Sequence, residues 1–289
     1  MAPTPSGFLH LGNLLSFAIT AHFAKRTGAK IHLRIDDLDR ERAQPEYIDD
    51  IFQTLKFLDI PWHSGPANTE DFQKRWSQYN RMGDYEAALK QLEEGNHVFA
   101  CNCSRSQLAA LGNGGIYPGT CLSKKLDLHT PGVQWRLKTR PGRVLRINRL
   151  GAPVLKATLP PLMQNFVVRK KDGVAAYQLA SLVDDVNAGT DLIVRGVDLW
   201  PSTWAQLYLA ETLSKECFLK VAFVHHPLLQ WRDGTKLSKS AGATSIQYLR
   251  NQGMTREGIY TEVAKMLGSR KRCHNWQELA TLMEKHFAP

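Results

Sequence analysis

The pattern of apolar and polar positions predicts a helix over 12–26. It leads into a strand over 30–35, whose β-branched and apolar run ends at Asp36, Asp37 and Asp39. Pro45 opens a second helix reaching about Leu58, with Ile48, Ile51, Leu55 and Leu58 on one face at spacings of three and four. A longer helical stretch is predicted over 71–94, with Gly95 as its stop. From 98 to 169 the pattern changes to short strands, Gly and Pro turns and a cysteine cluster, which reads as an insertion. Alternation then resumes with a helix over 175–186, a strand over 191–195, a helix over 201–213 and a strand over 221–225. Strands joined by helices require parallel crossovers, so the halves on either side of the insertion are expected to form one parallel sheet. After Ala241 the chain reads helical, over 245–252, 256–267 and 276–287.

These elements define an α/β chain of 289 residues, enough to bury a large core without disulfides. The Pro and Gly content is too low for a disordered or collagenous chain. Thirty-seven Lys and Arg against 27 Asp and Glu leave a formal charge of +10, which favours a polyanionic partner. The uncharged stretch 8–24 includes His10, Gly12, Asn13 and His22 and is too short and polar to span a bilayer, so neither membrane nor signal peptide is expected. Five cysteines, three of them between Cys101 and Cys121, fit a metal site in a reducing cytoplasm better than a disulfide framework.

Two segments carry chemistry. Ala2-Pro3-Thr4-Pro5-Ser6-Gly7-Phe8-Leu9-His10-Leu11-Gly12-Asn13 brings backbone donors, a helix N-terminus and an imidazole together, which suits phosphate; its plain alternative is a Pro-rich arm before a surface helix. Lys236-Leu237-Ser238-Lys239-Ser240 places two lysines around serine on a loop, able to neutralise a triphosphate as charge moves to a leaving pyrophosphate; alone, such a loop is ordinary solvated surface. Together, HLGN and KLSKS resemble the HIGH and KMSKS signatures of class I aminoacyl-tRNA synthetases. With LRIDDLDRER and KKDGVAAYQLASLVDDVNAGTDLIVRGVDL between them, they are similar to the glutamyl-tRNA synthetase catalytic core from residue 2 to about 268. Because the chain stops about fifty residues after KLSKS, it resembles the stand-alone glutamyl-queuosine tRNA(Asp) synthetases, which lack the anticodon-binding domain.

The resemblance implies a Rossmann-like parallel-sheet core with a zinc-bearing insertion and a short helical C-terminal segment. Its expected divisions are 1–97 and 170–240 for the catalytic halves, 98–169 for the insertion and 241–289 for the tail. Cys101, Cys103, Tyr117 and Cys121 match the family's zinc motif, three thiolates and one oxygen completing a tetrahedral structural Zn2+ site. The plain alternative is three unrelated buried cysteines.

His10, Gly12 and Asn13 match ATP-binding positions, with Lys236, Ser238 and Lys239 at the phosphates; His10, Lys236 and Lys239 are the expected catalytic groups. Ala2, Thr4, Asp36, Tyr177 and Arg195 match the glutamate pocket. Arg195 offers a planar fork to a carboxylate, Tyr177 a hydroxyl, and Asp36 a counter-charge for the α-ammonium. Against these stand a core aromatic for Tyr177 and a salt bridge to Asp184, Asp185 or Asp198 for Arg195. Asp184 and Asp185 read equally as solvated acids near a helix C-terminus and are left outside the site. Two positions depart from the family: the substrate-holding arginine upstream of Ala-Pro has no counterpart, and Asp36 stands where the family has Glu.

The implied reaction joins L-glutamate to ATP, with Mg2+, as glutamyl-adenylate. The glutamyl group then passes to the queuosine of tRNA(Asp), by a cytoplasmic monomer that needs no tRNA for activation. Lys124, Lys125 and the arginines and lysine from Arg136 to Arg149 are expected to line an RNA face. Two other readings stand beside this one: a paralogue that loads a different acceptor, and an RNA-binding protein that keeps the fold without catalysis.

Overall fold

The computed structural model describes residues 1–110, 112–229 and 245–283, Arg105 by its backbone only. Two compact units divide the chain: Met1–Asn80 with Ile193–Val197 and Val224–Pro289, and Arg81–Leu192 with Asp198–Phe223.

In the first unit, helix α1 (Leu11–Thr27) is apolar on nearly every side, burying Leu11, Leu14, Leu15, Phe17, Ala18 and Ile19 among others, as expected of a central helix rather than a surface one. It ends at Gly28, whose φ of 68° is the left-handed conformation that favours glycine at a helix stop. Helix α2 (Pro45–Phe57) buries Ile48, Ile51 and Leu55, the stripe its spacing predicts. Between these helices, residues 31–36, buried except for His32, do not form a regular strand. Their backbone is shared between two irregular neighbours: Arg34 and Asp36 donate N–H bonds to the carbonyls of Met1 and Pro3, and Leu33 donates to Ser64. Pro3 and Pro5 bring no N–H, so a continuous ladder cannot form on that side. On the other side, a Cβ on Gly65 would lie 1.9 Å from the Leu33 carbonyl oxygen, so only glycine permits this approach.

The predicted 71–94 helix is broken. Helix α3 (Thr69–Asp71) runs into a π-helical turn, Phe72–Trp76, and then, after Ser77, a 3-10 turn, Gln78–Arg81, precedes helix α4 (Met82–Glu94). A tertiary contact overrides local propensity at the break: the Asp37 carboxylate accepts from the Ser77 hydroxyl at 2.5 Å and the Gln78 N–H at 2.8 Å, holding Ser77 extended.

The second unit holds a small antiparallel sheet of β1 (Val98–Cys101), β2 (Gln134–Leu137) and β5 (Val167–Arg169), with β2 central. Helix α5 (Arg105–Ala110) follows β1. The second unit also holds a hairpin of β3 (Val144–Arg149) and β4 (Ala152–Thr158), β4 at its edge, and the start of β7 (Ala222–His226); the rest of β7 and nearly all of β6 (Leu192–Gly196) belong to the first unit. Within the second unit β3 is antiparallel to β4 and parallel to β7. Helices α6 (Tyr177–Asn187), α7 (Trp200–Thr212) and α8 (Glu216–Leu219) complete the alternation. The first unit closes with α9 (Ile246–Asn251), α10 (Arg256–Met266) and α11 (Trp276–Met283); the Tyr260 hydroxyl and Trp276 indole donate to the backbone carbonyls of Leu58 and Asp59 at the end of α2. No helix among the described residues is long and apolar enough to cross a membrane.

Candidate active site

His10 sits at the N-cap of α1 with extended backbone. Its Nδ1 accepts the Gly12 N–H at 3.1 Å, and its own N–H donates to Asn13 Oδ1 at 3.0 Å, a reciprocal cap that fixes the ring. With Nδ1 an acceptor, the neutral imidazole carries its proton on Nε2 and presents a donor there. Gly12 is required by this packing, since a Cβ would stand 2.9 Å from His10 Cε1. HLGN is therefore one construction: Asn13 and Gly12 hold the ring that His10 supplies.

The residue before it is clamped as well. The Leu9 N–H donates to Asp50 Oδ2 at 3.3 Å, and the Leu9 carbonyl accepts from Ile246 N–H at 2.7 Å. Asp50, on α2, is 3% exposed and also accepts from Thr54, with Arg250 of α9 at 3.9 Å. Burial raises its pKa, opposed by these hydrogen bonds and by Arg250. Asp50 and Arg250 escape sequence reading because periodicity counts only the apolar members of a face; the i,i+4 pair Asp50–Thr54 was the available signal.

The glutamate-pocket candidates separate. The Pro3 carbonyl accepts the Asp36 N–H, so Ala2 and Thr4 flank Asp36 along the paired backbones. Asp36 is 8% exposed and held by Arg34, whose Nε lies 2.6 Å from Oδ1 and Nη2 3.3 Å from Oδ2. Arg34 escapes sequence reading; that residues i and i+2 of an extended chain share a face was the available signal. Arg195 is buried in β6 of the same unit. Tyr177 opens α6 in the second unit and is exposed. Lys236, Ser238 and Lys239 lie outside the described residues.

Asp184 and Asp185 are not solvated acids: both are buried. Asp184 is engaged by Arg81, Nε to Oδ1 at 2.8 Å, and by the Tyr85 hydroxyl at 2.8 Å. Burial raises the Tyr85 pKa, and the Asp184 charge adds to it.

Beside Arg195, the half-buried His225 imidazole is pushed down to about 3, by burial first and the Arg195 charge second. A histidine lowered in the folded state lets the unfolded chain bind the extra proton. This contribution to stability is complete above about pH 6.5 and is lost as pH falls toward 3. In urea unfolding at pH 7, 5.5 and 4.5, His225→Asn is expected to lose less midpoint than wild type on acidification; parallel losses would refute the assignment.

The cysteine cluster is in the second unit. Cys101, Cys103 and Cys121 are free thiols whose Sγ atoms lie within 4.8 Å of one another, and Cys103 Sγ is 3.5 Å from Cys121 Sγ, too far for a disulfide. Burial raises the Cys101 thiol, but hydrogen bonds from Gln134, Tyr117, the Cys103 backbone and Arg136 outweigh it and bring it down to about 6. Cys103 is pushed up to about 11, by burial and then by its sulfur neighbours. One thiolate thus forms readily at Cys101 and opposes a second at Cys103, an opposition that a dication held by these sulfurs would relieve. The Tyr117 hydroxyl accepts the Cys121 N–H at 2.8 Å, and the buried Arg136 guanidinium lies 3.8 Å from the Tyr117 ring centroid. The donor set fits a tetrahedral sulfur-rich metal site.

The family model for tRNA synthetases class I (E and Q), catalytic domain, matches residues 1–115 and 156–285. The chain belongs to that family. It is a synthetase-type ligase. Residues 116–155, with Tyr117, Cys121 and β3, fall between the two matched stretches. The glutamyl-Q tRNA(Asp) synthetase of Symbiobacterium thermophilum is 33% identical over 92% of this chain and 85% of its own length. That of Nitratidesulfovibrio vulgaris is 33% identical over 93% and 85%. Among solved structures, the glutamate-tRNA synthetase of Elizabethkingia anophelis shares the fold at a TM-score of 0.75 and 22% identity, covering 96% of this chain. The chain spans 64% of that larger protein.

Proposed function

We propose that this synthetase activates L-glutamate with MgATP and transfers it to the queuosine of tRNA(Asp). In the first step a glutamate carboxylate oxygen attacks the α-phosphorus, forming glutamyl-adenylate as the bond to pyrophosphate breaks. In the second, an acceptor hydroxyl attacks the activated carbonyl and AMP leaves. Mg2+ supplies charge neutralisation on the triphosphate. His10 donates from Nε2 to phosphate oxygens as negative charge grows there, and Gly12 and Asn13 hold its ring. Lys236, Ser238 and Lys239 take the leaving pyrophosphate. Arg195 holds the substrate carboxylate, Tyr177 offers its hydroxyl, and Asp36, with Ala2 and Thr4 beside it, faces the α-ammonium.

Cys101, Cys103, Tyr117 and Cys121 hold a structural zinc. The catalytic halves are 1–97 and 170–240, the insertion 98–169 and the helical segment 241–289, working as a monomer in the cytoplasm. The observation that carries the reading is sequence relationship: relatives named glutamyl-Q tRNA(Asp) synthetase are 33% identical over 92% and 93% of this chain.

The test is ATP–pyrophosphate exchange with each common amino acid in the absence of tRNA, followed by labelled glutamate transfer to tRNA(Asp) with and without queuosine. Exchange with glutamate alone and transfer only to the modified tRNA are expected. Transfer to unmodified tRNA, or activation of another amino acid, would replace this reading.

A further inference from the structure

Asp50 is a buried carboxylate on the face of α2 that meets the segment ahead of His10. Tyr47, Asp50 and Thr54, three and four residues apart, share that face. The Tyr47 ring meets Phe8 edge-on with centroids 4.9 Å apart, Asp50 Oδ2 accepts the Leu9 N–H at 3.3 Å, and the Thr54 hydroxyl donates to Oδ1 at 3.2 Å. Arg250 on α9 stands 3.9 Å from Oδ1, with its guanidinium carbon 5.0 Å from the Phe57 ring centroid. All of these residues belong to the first unit.

Stability does not account for the carboxylate. Burying it costs hydration, and its cation stands beyond hydrogen-bonding distance, the case in which a well-packed apolar residue would serve as well or better. What Asp50 adds is a fixed position for the backbone that carries His10. The His10 N–H donates to Asn13, the His10 carbonyl accepts the Asn13 and Leu14 N–H groups at 2.9 and 3.3 Å, and Nδ1 accepts from Gly12, but these bonds fix the ring only relative to α1. The Leu9 peptide groups do the rest: the N–H is held by Asp50 of α2 and the carbonyl by the Ile246 N–H at 2.7 Å. The two carboxylate oxygens face different donors, Leu9 on one side and Thr54 with Arg250 on the other. An amide at this position would turn its NH2 against one of them.

We propose that Asp50 is a positioning residue for His10: by holding the Leu9 amide against α2, it sets where the imidazole Nε2 stands. This rests on the reading that His10 donates to phosphate during glutamate activation. Asp50 acts through Leu9 and His10 alone, so its effect must disappear when the imidazole is absent.

The test is ATP–pyrophosphate exchange by the full chain carrying Asp50→Val, His10→Ala or both. Displacing a reacting group by about 1 Å costs up to about 10²-fold, so Asp50→Val is expected to lower kcat about tenfold to hundredfold, with KM for ATP and glutamate within about threefold of wild type. Combined with His10→Ala, it should add no more than about threefold to the loss His10→Ala causes alone, whereas a general structural defect would multiply with it. Asp50→Asn should slow exchange too, because Arg250 draws the amide oxygen and leaves NH2 facing Leu9. Adding Arg250→Met frees the amide to turn, and exchange should return to within about threefold of Arg250→Met alone; this pair decides the matter if Asp50→Val does not fold. Wild-type kcat in Asp50→Val, losses that multiply with His10→Ala, or no recovery on adding Arg250→Met would each overturn the role of Asp50 and leave the proposed function standing. No exchange by the wild type with any amino acid would overturn both.

Discussion

Replacing His10 with alanine is expected to slow ATP–pyrophosphate exchange by about 10²–10³, the usual loss when one donor to developing negative charge is removed from a prepared site. The geometry separates this effect from a folding defect. His10 also caps α1, and losing the cap costs about 1 kcal/mol. His10→Asn restores a good capping side chain but places no donor where Nε2 was. Its melting temperature should return toward wild type while exchange stays low. If His10→Asn recovers exchange, or if His10→Ala remains within about threefold of wild type, the residue's role is confined to starting the helix. Gly12→Ala gives an independent check on the same construction, because its Cβ would press on the imidazole that the cap holds.

The second large effect is on stability. The protein as isolated is expected to carry one zinc, and Cys121→Ser or a strong chelator should release it. Structural zinc contributes about 10 kcal/mol or more in isolated zinc-finger peptides. Here the share is smaller, because the sheet of β1, β2 and β5 and the core of Phe99, Tyr117 and Cys101 bury apolar surface without it. Hydrogen exchange should rise in residues 98–126 and stay unchanged in α1 and α2. A chelated protein with the metal content, melting curve and exchange pattern of the untreated one would remove zinc from this site. Arg136 adds to the expectation, since its guanidinium on the Tyr117 ring places a positive charge beside an anionic thiolate set.

Much of this was written in local sequence. The helices at α1, α2, α6, α7 and α10 follow from apolar spacing and end signals that act within one or two turns, and the structure places them within a few residues of the expected bounds. HLGN was legible for the same reason, a short segment whose members meet through adjacent backbone, whereas the cysteines with Tyr117 were legible through their match to a family motif, Cys101 and Cys121 meeting across a longer stretch of chain. The LRID segment gave its apolar run, and its Arg34–Asp36 pair is a consequence of extended geometry.

Tertiary structure decided what depends on partners far along the chain. Asp37 breaks the 71–94 helix by taking the Ser77 and Gln78 donors, and no property of residues 71–94 alone announces it. Asp184 is buried because Arg81 and Tyr85, some hundred residues earlier, satisfy it. Asp50 reaches the Leu9 backbone across 41 residues. The physical division is one of range. Periodicity, caps and turn residues are fixed by steric and hydrogen-bonding rules between near neighbours. Which buried charge finds a partner depends on how distant segments pack, and that is set by the folded chain as a whole.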